Sequence, residues 1–315
     1  MNASPNAQDK SPTARDYGLF AVVVLSWSAS WYAIKLQIGD VSEHTSLFWR
    51  FAIAAACMWL WVAIVRARIR FDVQTHFVFA GMGLFIFCLN FTLFYFGGAY
   101  LISGLLSVVF SLASIVNLIM AAALARQAPR GRVVLGALMG VAGIALMFAP
   151  EIAGQSWTGG AALGLALCIA GTVCFCIGSQ ISAALQARSI PVVSASAWGM
   201  SYGATASLIF ALVQGHSVAI NWSVNYVGSL LFLAIISSVM AFWSYLSLVG
   251  SIGAGRAGYT TVMFPVLALF ISALFEGYGF PPLAIAGLAF VLAGNVLVLG
   301  RSRPRRSALP QPPKS

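Results

Sequence analysis

Apolar residues in this chain come in long blocks, not in alternation. Ten runs, at roughly 17–37, 46–65, 77–97, 99–125, 133–149, 158–184, 190–214, 225–249, 253–275 and 281–300, are separated by short polar breaks. About 20 mainly apolar residues carry an α-helix across a bilayer. The strands of a membrane barrel would alternate with a period of two, and these runs do not. The pattern predicts an all-α polytopic membrane protein with ten transmembrane helices. Residues 1–16 ("MNASPNAQDKSPTARD") and 301–315 ("RSRPRRSALPQPPKS") are polar and rich in Ser and Pro, and predict tails without fixed structure.

Composition points the same way. Hydrophobic residues make up 60% of the 315 positions and charged residues 8%, against about 25% charged in soluble domains. The net charge of +10 invites a nucleic-acid partner, but its placement argues against one. With ten spans, every Lys and Arg in the loops and tails falls on the side of the N-terminus, and only Lys35 and Arg50 lie within helices. The opposite loops carry Asp40, Glu43, Glu151 and Glu276 and no basic residue. Basic loops stay in the cytoplasm, so both termini are predicted cytoplasmic and the bilayer itself accounts for the charge.

The chain divides near 151–158 into two parts of five runs each, 17–150 and 151–300. The end of the first reads "GLLSVVFSLASIVNLIMAAALARQAPRGRVVLGALMGVAGIAL", and the end of the second "GYTTVMFPVLALFISALFEGYGFPPLAIAGLAFVLAGNVLVL". Gly104 aligns with Gly258 and Phe110 with Phe264. After a shift in the connecting loop, Gly136 aligns with Gly287 and Gly143 with Gly294. Five is odd, so the second repeat must be inverted relative to the first. Inverted repeats are an architecture of secondary transporters, with the binding site near the midplane between them.

"WSASWYAIK" at 27–35, followed by "SLFWRF" and later by "GAGRAGYTTVMFPVLALFISALFEG", resembles the EamA-type members of the drug/metabolite transporter superfamily. Those open with a Trp-Gly-Ser-like segment ending in Lys, then an Arg early in the second span, and their ninth helix carries a Pro and a terminal Glu, here Pro265 and Glu276. Within the superfamily the chain most resembles YddG-like amino-acid exporters. Ser28 stands where Gly is usual, and the first half lacks counterparts of Pro265 and Glu276. The resemblance implies a secondary-active transporter of a bacterial inner membrane. It would export small amphipathic metabolites, amino acids foremost (aromatic or other neutral), by alternating access through a central cavity. A multidrug or sugar-nucleotide-type carrier of the same fold and a non-transporting membrane scaffold are the alternatives.

Candidate chemistry is sparse. There is no Walker loop, and the three histidines, His44, His76 and His216, lie near helix ends. Cys57, Cys88, Cys168, Cys174 and Cys176 fall within apolar runs and read as small packing residues, with no metal or cofactor implied. Ser103, Ser107, Ser111, Ser114 and Asn117 recur every three or four residues on one helix face. They would either line a wet substrate path or let helices pack closely with the hydroxyls bonded to the preceding turn. Trp27 and Trp31 lie one turn apart, too deep for an interfacial belt at Trp27, and predict an aromatic cavity wall or core packing. Asn90 is a candidate cavity residue, Tyr95 either that or a belt residue, and Gln180, Trp243, Tyr245 and Tyr259 extend the set into the second half. Pro265 is a candidate gate or hinge. Lys35 and Arg50, within a few turns of the outer ends, are expected to reach the interface or to pair with Asp40 or Glu43.

Overall fold

The computed structural model describes residues 13–39, 41–129, 131–153, 159–252 and 259–299, and no strand occurs among them. The tail residues 1–12 and 301–315, and part of the inter-repeat interval, lie outside that set. The helices are α1 (Ala14–Lys35), α2 (Glu43–Ile64), α3 (Val73–Gly98), α4 (Ser103–Leu124), α5 (Gly131–Ala153), α6 (Gly159–Ala187) and α7 (Val192–Val213). They continue as α8, in three consecutive segments Val224–Leu231, Phe232–Met240 and Ala241–Ile252, then α9 (Thr260–Glu276) and α10 (Pro282–Leu299). Nine of them are long and apolar enough to cross a membrane; α9, with 17 residues, is shorter.

Helix starts follow local chemistry. The Thr13 side chain accepts from Asp16 N–H while the Asp16 carboxylate accepts from Thr13 N–H, closing a capping box. That box starts α1 three residues inside the segment expected to be tail. Ser42 and Ser223 cap α2 and α8 by accepting from the N–H groups of Thr45 and Tyr226, without the reciprocal carboxylate.

Two rods carry π-helical interiors, Gly83–Leu89 in α3 and Phe232–Met240 in α8. Such widened turns displace the carbonyl ladder. In α3 the Asn90 amide donates to Ile86 O at 3.2 Å, and in α8 the Ser238 hydroxyl donates to Leu233 O at 2.8 Å.

Lipid tails are as apolar as the helices, so helices associate by close packing rather than by water exclusion. The most extensive contacts run between α5 and α10, α3 and α6, α2 and α7, α3 and α7, and α1 and α8, followed by α1 with α9 and α4 with both α6 and α9. The α5–α10 crossing is among the tightest, with the α3–α7 crossing at Gly83 and Gly199 as close. A Cβ on Gly136 would lie 2.8 Å from Gly294 O, and one on Gly143 2.5 Å from Gly287 O. Only glycine permits that backbone approach. A single buried cluster runs through most of the helices and includes Trp31, Phe51, Phe94, Phe148, Phe264 and Val291.

Candidate substrate site between the helix bundles

The centre of the molecule is aromatic. Helical spacing stacks Trp27 and Trp31 on one face of α1. The buried Trp31 ring lies 5.0 Å from Phe94, 5.3 Å from Phe110 and 6.5 Å from Phe264. Trp27 lies 5.5 Å from Tyr245 and 6.4 Å from Phe264. Phe110 reaches Phe175 at 4.8 Å and Phe264 at 6.2 Å. Six helices, α1, α3, α4, α6, α8 and α9, therefore each place a ring in one set. Phe110 and Phe264, matched by the internal comparison of the sequence, face each other across it. Ser28, in the place of the usual Gly, is fully buried where α1 crosses α9, with its hydroxyl 3.0 Å from Phe264 O. The next residue is Pro265, through which α9 remains helical.

The polar face of α4 divides. Ser107 donates to Gly104 O at 2.6 Å and Ser111 to Val108 O at 2.7 Å, so both buried hydroxyls are satisfied within their own helix. Ser114 reaches across to the Asn295 side chain of α10. Asn117 accepts from Gln180 Nε2 of α6, 3.1 Å from its Oδ1. Of the residues singled out from the sequence, Trp27 and Tyr245 meet, Trp31 joins them through Phe264, and Asn117 and Gln180 meet. Trp243 stands apart: it is 40% exposed, beside Trp61 at 6.3 Å, on the flank of the bundle. Tyr259 forms the N-cap of α9 and is half-buried. Asn90 is buried, and its Oδ1 meets no donor among the described residues.

The two ends of the bundle differ. At the end carrying Lys35, the turn between α3 and α4 is gripped from both sides. Lys35 Nζ donates to Gly98 O and, at 3.0 Å, to Leu101 O, at the carbonyl-rich terminus of α3. The Glu276 carboxylate accepts from Ser103 N–H at 3.1 Å and from the Ser103 hydroxyl, at the amide-rich start of α4. Each charge sits at the helix terminus of complementary dipole sign. The Ser103–Ser111 segment of α4 packs chiefly on α9, and also on α1 and α6, whereas its Ala113–Leu124 segment packs on α6, α5 and α10. At the other end the ties include the Ser251 hydroxyl to Asp16, His76 to Tyr202 at 2.9 Å, and Trp59 Nε1 to Ser201 at 3.0 Å.

Arg50 departs from its expected place. It is 3% exposed, with no carboxylate paired to it among the described residues. Its guanidinium carbon lies 4.2 Å from the Phe91 ring centroid and 5.1 Å from that of Phe51. Nη2 reaches the Ser238 hydroxyl at a long 3.4 Å, and the buried Tyr95 phenol, which donates to Gln37 Oε1 at 2.6 Å, lies beside it. Lys35, in contrast, does sit at the rim, although its partners are backbone carbonyls rather than Asp40 or Glu43. The signal for Arg50 was present in α2: Leu47, Phe51, Ala54, Met58 and Val62 form a buried face at helical spacing, and Arg50 falls on it.

A bundle of membrane-length helices around a set of aromatic side chains is that of a polytopic membrane protein, and comparison with known proteins specifies it as a transporter. The EamA-like transporter family matches twice, over residues 16–149 and 162–300, and the chain belongs to that family. An uncharacterized transporter of Archaeoglobus fulgidus is 25% identical over 282 residues, covering 89% of this chain and 97% of that one. The uncharacterized transporter YoaV of Bacillus subtilis is 24% identical over 249 residues, covering 79% and 84%. A crystal structure with 14% identity superposes with a TM-score of 0.63 over 90% of this chain and 96% of its own, a likeness of fold.

Proposed function

We propose that this protein is a secondary-active exporter of small amphipathic metabolites, foremost amino acids with aromatic or other neutral side chains, in a bacterial inner membrane. The observation that carries the reading is the aromatic set. Rings from six helices converge where two helix groups meet, α3, α4 and α6 on one side and α1, α8 and α9 on the other. Such rings suit flat, amphipathic or cationic solutes. Trp27 and Trp31 form its α1 wall. Asn117 and Gln180 offer amides toward one end, with Asn90 and Tyr95 on α3 and Tyr259 at the start of α9, while the Ser107 and Ser111 hydroxyls stay committed to α4.

Ten spans in two inverted five-helix repeats, 17–150 and 151–300, fit the contacts. Exchanging each helix for the one five later turns the α3–α6 contact into α8–α1, and α1–α9 into α6–α4; all four occur. The same exchange maps the Gly136–Gly294 approach onto Gly287–Gly143. It also maps the π-helical interior of α3 onto that of α8. With basic loops cytoplasmic, both termini are cytoplasmic and the Lys35 end faces outward. The conformation described is then sealed outside, and one helix group rocking against the other, with Pro265 as a flexible point in α9, would reverse access.

Uptake of radiolabelled phenylalanine and leucine into proteoliposomes, with and without a pH gradient, tests this reading. The expected result is uptake that depends on the protein. Trp27→Ala and Asn117→Ala should each lower it by about tenfold or more, the effect of about 1.4 kcal/mol, while folded yield changes little. Protein-containing vesicles that take up no amino acid would overturn the substrate assignment.

A further inference from the structure

Arg50 is a cation held in the membrane interior by neutral surroundings. A buried charge is retained when something of opposite sign compensates it. Here the neighbours are the Phe51 and Phe91 rings, the Ser238 hydroxyl and the Tyr95 phenol, all neutral. Glu43 lies two turns away on the same helix and makes no pair with it.

The unmatched hydrogen-bonding groups here are donors. Nε and Nη1 of Arg50 meet no acceptor among the described residues, and neither does Nε2 of Gln37. Tyr95 joins the two residues, because its hydroxyl is committed to Gln37 Oε1 and lies beside the guanidinium. Gln37 and Tyr95 are fully buried. Each free donor forms a fork with Nη2, whose contact to Ser238 is long at 3.4 Å, and either fork, Nε with Nη2 or Nη1 with Nη2, matches two oxygens of a carboxylate once that contact yields. Gln37 supplies a further donor of the neutral type that carboxylates accept. A water molecule would satisfy N–H groups and leave the charge uncompensated.

Location ties the group to transport. Arg50 is on α2, Tyr95 on α3 and Ser238 in the π-helical part of α8, so elements of both repeats meet at the cation. Phe94, the neighbour of Tyr95, belongs to the aromatic set and touches Trp31.

We propose that Arg50, with Gln37 and Tyr95, forms a binding site for a small carboxylate, that of the transported solute being its occupant. This rests on the transporter reading above. The aromatic set would then receive the apolar part of the solute and Arg50 its acid group.

The test is thermal unfolding of the full-length protein in detergent, in a buffer with a bulky sulfonate as the anion. L-Phenylalanine and 3-phenylpropionate should raise the Tm of the wild type, and phenylalaninamide and phenethylamine should not. Arg50→Met should lose the response, with carboxylate affinity weakened by about a hundredfold or more. Its Tm without ligand should equal or exceed that of the wild type, because an uncompensated charge has been removed; a purely structural arginine would give a lower Tm. Arg50→Gln, which keeps donors and loses charge, should lose the response too, and decides the matter if the methionine variant does not fold. A wild-type response to the amide as large as to the acid would overturn the proposal. So would an undiminished response in the variants, or a shift from chloride with none from carboxylates. Proteoliposome uptake on the same preparations separates the two readings. Uptake without a carboxylate-dependent shift removes the site and leaves the transporter, whereas a shift without uptake removes the substrate assignment and leaves the site.

Discussion

Lys35 and Arg50 sit on consecutive helices near the same end of the bundle, yet their surroundings are opposite. Lys35 is half-buried, meets the carbonyls of Gly98 and Leu101, and lies in the field of Glu276. Arg50 is buried against two phenylalanine rings and has donors without acceptors. The first cation has two carbonyl acceptors and an acidic neighbour in the protein, and the second has neither among the described residues. A polar group whose partners are all internal holds the fold; one that lacks them is available to something that arrives.

Substitution separates the two. The largest stability effect is expected at Lys35→Met, which leaves two helix-terminal carbonyls uncapped and removes the positive neighbour of Glu276. A loss of about 1–3 kcal/mol follows from stranding such groups, read as a fall in Tm. If Lys35→Met were neutral while Arg50→Met destabilised strongly, the comparison would be inverted. Next is Glu276→Gln. It keeps an acceptor for Ser103 and loses the charge at the start of α4, so about 0.5–1 kcal/mol is expected. Because the contact joins α9 to α4, the loss should also raise the accessibility of a cysteine placed at Leu105 to a reagent added from the Lys35 side. The smallest effect belongs to Ser107→Ala and Ser111→Ala. Their hydroxyls bond to their own helix, so each should change stability by about 0.6 kcal/mol or less and leave uptake unchanged. A large transport defect in either would show that these hydroxyls turn toward the solute.

The helices were legible from the sequence because hydrophobic blocks of membrane length admit few other structures. Thr13 and Asp16 show the limit of that reading: a capping box extended α1 into residues assigned to the tail. The pairing of Phe110 with Phe264 was also legible, as a repeat, and those two rings do meet. What the sequence concealed was rotation. Distance from a helix end placed Lys35 and Arg50 together, but the face each presents depends on neighbours far away in sequence: Gly98 for Lys35, Ser238 for Arg50. For α4 the serine spacing identified a face, and only the geometry decided that Ser107 and Ser111 bond within their own helix while Ser114 and Asn117 reach α10 and α6. Trp243 falls on the flank for the same reason, 40% exposed beside Trp61.

The grip on the α3–α4 turn has an electrical consequence. One positive and one negative side chain hold the same short segment, Lys35 at one end and Glu276 at the other. If both let go together, opposite charges travel through the same part of the membrane field and their work cancels. A lone charge crossing the full field would feel about 2.3 kcal/mol per 100 mV. If the turn is the outer seal of the transport cycle proposed above, its opening would be set by the solute and the helices, and the resting voltage of the cell would exert little leverage on it.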